Sequence, residues 1–120
     1  MGRPDNDLFF FAVLAGRDLA GFVTLHTFRD GEAELAYWIG KPFAGQGFGT
    51  EAARALCRAG FRRKRLRTIR TQIFLDNIAS LRIAKKTGMR RCFVLMDDAA
   101  DRIGPSPSAV YSLSRENLRP

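Results

Sequence analysis

Glycines alternate in the segment Ala44-Gly45-Gln46-Gly47-Phe48-Gly49, directly before a stretch with helical periodicity. Glycine enters φ > 0 freely and lets a ligand approach the backbone closely. A helix opening near Thr50 would aim its unpaired N–H groups and its positive dipole end at the same place, which makes a phosphate site. The competing reading is a plain turn. Two known phosphate loops do not fit. A P-loop requires Lys and then Ser or Thr after its last glycine, whereas Thr50-Glu51 stands here. The dinucleotide fingerprint requires a glycine where Thr50 stands and an acidic residue about twenty positions on, where Arg65 to Arg70 is basic.

The elements that hold this loop follow from pattern. Leu8 to Leu14 is continuously apolar, as a strand buried on both faces is, and Ala15-Gly16-Arg17-Asp18 punctuates it. A signal-peptide core would need a positive leader, but Asp5 and Asp7 outweigh Arg3, and the run is too short to span a bilayer. Leu19 to Phe28 alternates, with Phe22, Thr24 and His26 on one parity, and Asp30-Gly31 is a turn signal before a third strand, Glu32 to Ile39. Thr50 to Arg63 has helical period, with Ala53, Leu56, Cys57 and Gly60 on one face and Arg54, Arg58 and Arg62 on the other. Thr68 to Leu75 alternates as a strand. Asp76 or Asn77 caps a second helix that turns Ile78, Leu81 and Ala84 inward and stops at Gly88. Met89 to Met96 is a strand, Asp97 to Ser108 a loop, and Ala109 to Leu113 a final strand. The order β-β-β-α-β-α-β-β is an α+β fold, a mixed and mostly antiparallel sheet with two helices, in a single domain over residues 1–120.

Two ordered motifs carry a family resemblance. Ala33-Glu34-Leu35-Ala36-Tyr37-Trp38-Ile39-Gly40, followed by Gly45-Gln46-Gly47-Phe48-Gly49-Thr50-Glu51-Ala52, resembles the central motif of the GNAT superfamily of N-acetyltransferases. Asp76-Asn77-Ile78-Ala79-Ser80 through Lys86-Thr87-Gly88-Met89 resembles the next block of that family, an Asn-x-x-Ser helix ending in Gly and an apolar residue. The match, with Val110-Tyr111-Ser112-Leu113, is closest to the branch that acetylates the N-termini of ribosomal proteins. The resemblance implies acetyl-CoA as co-substrate, no metal, and direct transfer of acetyl to a primary amine of a protein N-terminus or a small molecule. It implies that the sheet splays after the third strand and that pantetheine lies in the gap, held by main-chain groups near Trp38 and Ile39. The pyrophosphate would sit on Gly45, Gln46, Gly47, Phe48, Gly49 and Thr50, with Asn77 and Ser80 toward the thioester. Ala44 stands where the family usually has Gln or Arg, and Ala84 where many members have a tyrosine acid.

Acetyl transfer needs a base for a cationic amine and a proton for the departing thiolate. Glu34, at the acidic position of the resembled motif, is the candidate base; its other reading is a solvated carboxylate paired with an arginine. Ser80 is a candidate donor, or else a helix-capping residue. Tyr37 serves as the acid only if a bulge turns it to the face of Glu34, because the two have opposite strand parity. His26 and Cys57 read as packing residues.

The chain has 120 residues and a net charge of +8, which favours anionic partners. Arg62-Arg63-Lys64-Arg65-Leu66-Arg67 concentrates that charge, either as a nucleic-acid or ribosome contact or as a solvated helix end, the latter favoured. A basic CoA- or RNA-binding module that keeps the fold without transfer is the rival function. Cys57 and Cys92 are too few for a disulfide framework, so a reduced cytoplasmic protein is expected, away from membranes. A complete domain of the resembled family opens with a strand and helices that nothing before Leu8 supplies. The chain is therefore expected to be N-terminally short or to pair through its first strand with a second copy.

Overall fold

Asp30 and Gly31 take φ of 65° and 73° and turn the chain back on itself, as the Asp-Gly signal requires. The computed structural model describes residues 7–97 and 106–118. Its first three strands, β1 (Leu8–Ala15), β2 (Asp18–Thr27) and β3 (Glu32–Ile39), form an antiparallel meander. Helix α1 (Phe48–Arg63), strand β4 (Thr68–Phe74), helix α2 (Ile78–Thr87) and the hairpin of β5 (Arg90–Asp97) and β6 (Ser106–Ser114) follow. The strands form one sheet in the order β1-β2-β3-β4-β6-β5, antiparallel throughout except between β3 and β4. The expected element order and mixed α+β class are both present.

Strand periodicity sorts the sheet into two unlike faces. Val23, Leu25, Ala33, Leu35, Ile69, Ile73 and Leu113 share one face and are buried. Helix α1 covers them with the expected stripe of Ala53, Leu56, Cys57 and Gly60, and with Phe61 beside it. Burial pushes the Cys57 thiol up to about 12, so it stays a protonated core group. Helix α2 packs beside α1, and Arg54 of α1 donates to the Lys86 carbonyl at 2.9 Å. Gly88 ends α2 at φ 108°, donating to Ala84 and Lys85 as a helix C-cap should. The opposite face carries a row of rings, Phe10 on Phe22 at 5.0 Å and Phe22 on Trp38 at 6.2 Å. No described helix is long and apolar enough to cross a membrane.

Three expectations are corrected. Leu81 and Ala84 turn inward from α2, but Ile78, at its first position, is 55% exposed. The run Leu8 to Leu14 is not buried on both faces: Leu8, Phe10, Phe11 and Leu14 are 50–64% exposed. Helix α1 lies over β2 and β3 and only touches β1, so Phe9 and Val13 alone of that strand's large side chains pack toward the core. The expected loop from Asp97 to Ser108 is shorter, because Asp97 pairs with Ser106 and Met96 with Pro107. Pro107 cannot donate to a ladder, but as the second residue of β6 it contributes a carbonyl, which accepts from the Leu75 N–H at 3.0 Å. The rest of that loop, and the polar leader before Asp7, lie outside the described residues.

Candidate functional site

The parallel ladder between β3 and β4 has three steps, Glu32 to Thr68, Ala33 to Ile69 and Glu34 to Arg70. Beyond Glu34, β3 continues to Ile39 beside β2 alone, while β4 continues beside β6. The sheet therefore opens into a wedge with Glu34 at its apex. Main-chain groups of β3 divide between its two sides. The Glu32 carbonyl accepts from Phe28, Gly40 donates to Ala20, and a Cβ on Gly21 would strike the Trp38 carbonyl oxygen. Even-numbered residues thus face β2, which leaves the N–H and C=O groups of Leu35, Tyr37 and Ile39 facing the gap. An extended chain could add there as a strand.

The glycine loop closes the wide end of the wedge. Gly45 and Gly47 have φ of 78° and 87°, and Gly47 is the N-cap of α1 with no side-chain cap. The first bond into the helix is from the Glu51 N–H to the Gly47 carbonyl at 3.0 Å. Among the described residues, the N–H groups from Gly45 to Thr50 have no protein acceptor. Six successive donors at a helix N-terminus favour an anion. A Cβ built on Gly47 meets nothing within 4 Å.

Loop and wedge share a cleft of about 610 Å³. It brings together Trp38, Ile39, Gly45, Gly47, Phe48, Gly49, Thr50, Asn77 and Ser80, all of them expected site residues. Gln46 does not line it; its side-chain amide donates back to the Pro42 carbonyl at 3.1 Å and braces the turn. Asn77 rather than Asp76 caps α2, accepting from the Ser80 N–H at 3.2 Å. That bond uses the Ser80 main chain, while the Ser80 side chain interacts with the Tyr37 hydroxyl. Arg82 and Lys86 also line the cleft and were not singled out from sequence. The available signal is their spacing, Arg82 one helical turn after Ile78 and Lys86 one turn after Arg82.

Glu34 stands apart from the cleft lining. It is exposed on the ring-bearing face, opposite His26 of β2 and Arg70 of β4. The arginine that might have neutralised it is taken, because Arg70 pairs with Glu32 at 2.6 Å. His26 packs its ring on Phe28 at 4.4 Å. Tyr37 points the other way. The β2–β3 register is unbroken, so the bulge needed to turn it toward Glu34 is absent. Its hydroxyl donates to the Ser80 carbonyl at 2.7 Å and ties β3 to the first turn of α2. Burial, partly offset by hydrogen bonding with the Ser80 side chain, pushes its pKa up to about 12, so the donor keeps its proton.

Tyr37→Phe is expected to cost about 1 kcal/mol of stability and to loosen the cleft. Urea unfolding and CoA titration check both, the affinity falling several-fold. Unchanged affinity would show that the brace does not shape the cleft. Among the described residues no group of three His, Cys, Asp or Glu could hold a metal ion.

Comparison with known proteins agrees with this geometry. The uncharacterized N-acetyltransferase YnaD of Bacillus subtilis (strain 168) is 32% identical over 91 residues, 74% of this chain and 54% of its own length. The crystal structure of a probable acetyltransferase shares the fold with a TM-score of 0.85, at 24% identity over 92% of this chain and 62% of that one. A structure assigned as a ribosomal-protein-serine acetyltransferase from Vibrio cholerae has a TM-score of 0.77 and 28% identity over 90% of this chain and 64% of that one. The chain thus spans between half and two thirds of the length of these relatives. Residues 2–90 match the profile of the acetyltransferase (GNAT) domain, and the chain belongs to that family.

Proposed function

We propose that this chain transfers acetyl from acetyl-CoA directly to a primary amine, and that residues 1–120 act as one domain. The observation that carries this reading is the continuity of the wedge with the glycine loop. Pantetheine would lie against the main chain of Tyr37 and Ile39, and pyrophosphate on the N–H groups from Gly45 to Thr50. Arg82 and Lys86 share that cleft and add positive charge where Ala44 supplies none.

In the proposed transfer, Glu34 takes a proton from the incoming ammonium, directly or through water. The freed amine attacks the thioester carbon, and a main-chain N–H of β3 facing the gap holds the oxyanion. Collapse breaks the C–S bond, and the proton shed by the attacking nitrogen passes through Ser80, or a water it holds, to the leaving thiolate, so that a neutral amide and a thiol result. The amine would arrive from the face that bears Glu34. The central motif with Val110-Tyr111-Ser112-Leu113, and the Vibrio relative, favour a protein amine as acceptor. Turnover of acetyl-CoA against a panel of peptides, polyamines and aminoglycosides tests this. Release of CoA with a peptide amine is expected. Binding without turnover on any amine would instead identify a CoA-binding module.

The free edge of β1, with Phe10, Phe11 and Leu14 exposed, also suits pairing with a second copy. Turnover should then fall on dilution in step with light-scattering mass. A monomer with concentration-independent turnover would show that this edge is not used.

A further inference from the structure

Arg58, Arg62, Arg65 and Arg115 line a second cavity, of about 620 Å³, over Phe61 and Leu118. It lies toward the C-terminal end of α1 and shares no residue with the acetyl-CoA cleft. At about 1.5 Å per residue, the helix separates it from the glycine loop by roughly 20 Å. One pyrophosphate cannot engage both.

Among the described residues, no ion pair balances the guanidiniums gathered there. Ion pairs among the described residues are Lys64 with Asp7 and Arg70 with Glu32, and neither involves this cavity. Arg115 has an internal task, donating to the Phe61 carbonyl at 2.7 Å in the last turn of α1. Arg67, from the same basic run, is likewise spent on the Asp30 carbonyl, and Leu66 is buried as the anchor of the turn. Among the described residues, Arg58, Arg62 and Arg65 have no such partner. Arg65 holds φ at 54°, a left-handed conformation that favours glycine.

The charge continues beyond one pocket. An adjoining cavity of about 360 Å³ is lined by Arg58, Arg62 and Arg63 with Ala55 and Ala59. Arg58 and Arg62 belong to both, one helical turn or about 6 Å apart. A row of guanidiniums at regular spacing suits a polymer with a charge on every unit better than one small anion. Guanidinium forks match phosphate oxygens in pairs. Phe61 beneath the pocket is only 2% exposed, so no ring is offered for base stacking.

We propose that this arginine surface binds the phosphodiester backbone of nucleic acid, by charge and without reading sequence. The test uses the whole chain and fluorescence anisotropy with labelled oligouridine RNA and oligothymidine DNA across a salt series. Both should bind, more weakly as salt rises. Replacing Arg58, Arg62 and Arg65 together with Gln should weaken binding at least about tenfold and lower the log–log salt slope by roughly 2, at about 0.7 per lost phosphate contact. Arg65→Gly alone relieves the backbone, so it should weaken binding several-fold with the melting temperature kept or raised. Saturating CoA should leave all of this unchanged. A loss confined to RNA or to DNA assigns the source of the phosphodiester. An unchanged slope in the triple variant, displacement by CoA, or equal competition by polyglutamate would each overturn the proposal.

Discussion

Gly47→Val should abolish CoA binding, weakening it at least about a hundredfold, which is close to 2.7 kcal/mol. Gly47 sits at φ 87°, where a β-branched residue is strained. A Cβ on Gly47 meets no protein atom within 4 Å, and in the proposed function it would crowd a phosphate held by the donors from Gly45 to Thr50. Strain and obstruction can be separated with Gly16→Val. Gly16 also has a positive φ, 64°, with nothing within 4 Å of its Cβ, but it lies in the β1–β2 turn away from the cleft. That control should lose comparable stability in urea and bind CoA normally. Normal titration of folded Gly47→Val by CoA would mean that the loop is a bare turn.

Glu34→Gln should lower turnover by about a hundredfold while leaving CoA affinity within twofold of the original. Glu34 is exposed, holds no ion pair among the described residues, and occupies the last step of the ladder before the sheet opens. A base removed from that apex leaves the acceptor amine protonated at neutral pH. The deficit should therefore shrink as pH rises and the amine loses its proton unaided. A thiol-release assay from neutral to alkaline pH measures the profile. Equal turnover of the two proteins at neutral pH would make Glu34 a solvated surface residue.

Local signals carried much of this site in the sequence itself. The Asp30-Gly31 turn, the Asn77 cap and the Gly88 stop are each set by a few adjacent residues, and each stands where its chemistry demands. Alternating glycines gave the loop and its open donors. What failed was non-local. An apolar run such as Leu8-Phe9-Phe10-Phe11 does not say whether a helix covers it, and α1 leaves Phe10 and Phe11 exposed. Gly104-Pro105-Ser106-Pro107 reads as loop, yet pairing with β5 carries β6 back to Ser106. The opening of the sheet after Glu34 has no local mark; it came from family resemblance, and the three-step ladder now shows it. Tyr37 was weighed as an acid because its type allows it, but an unbroken register turns it to α2, where it is a brace.

The most direct test is a calorimetric titration of acetyl-CoA into the unaltered chain, paired with a thermal melt. Binding at one site per chain, in the micromolar range and with a higher melting temperature, is the expected result, since a ligand selective for the folded state raises its stability. No heat of binding and no thermal shift at about millimolar acetyl-CoA, a concentration that would reveal even an affinity near −4 kcal/mol, would contradict it.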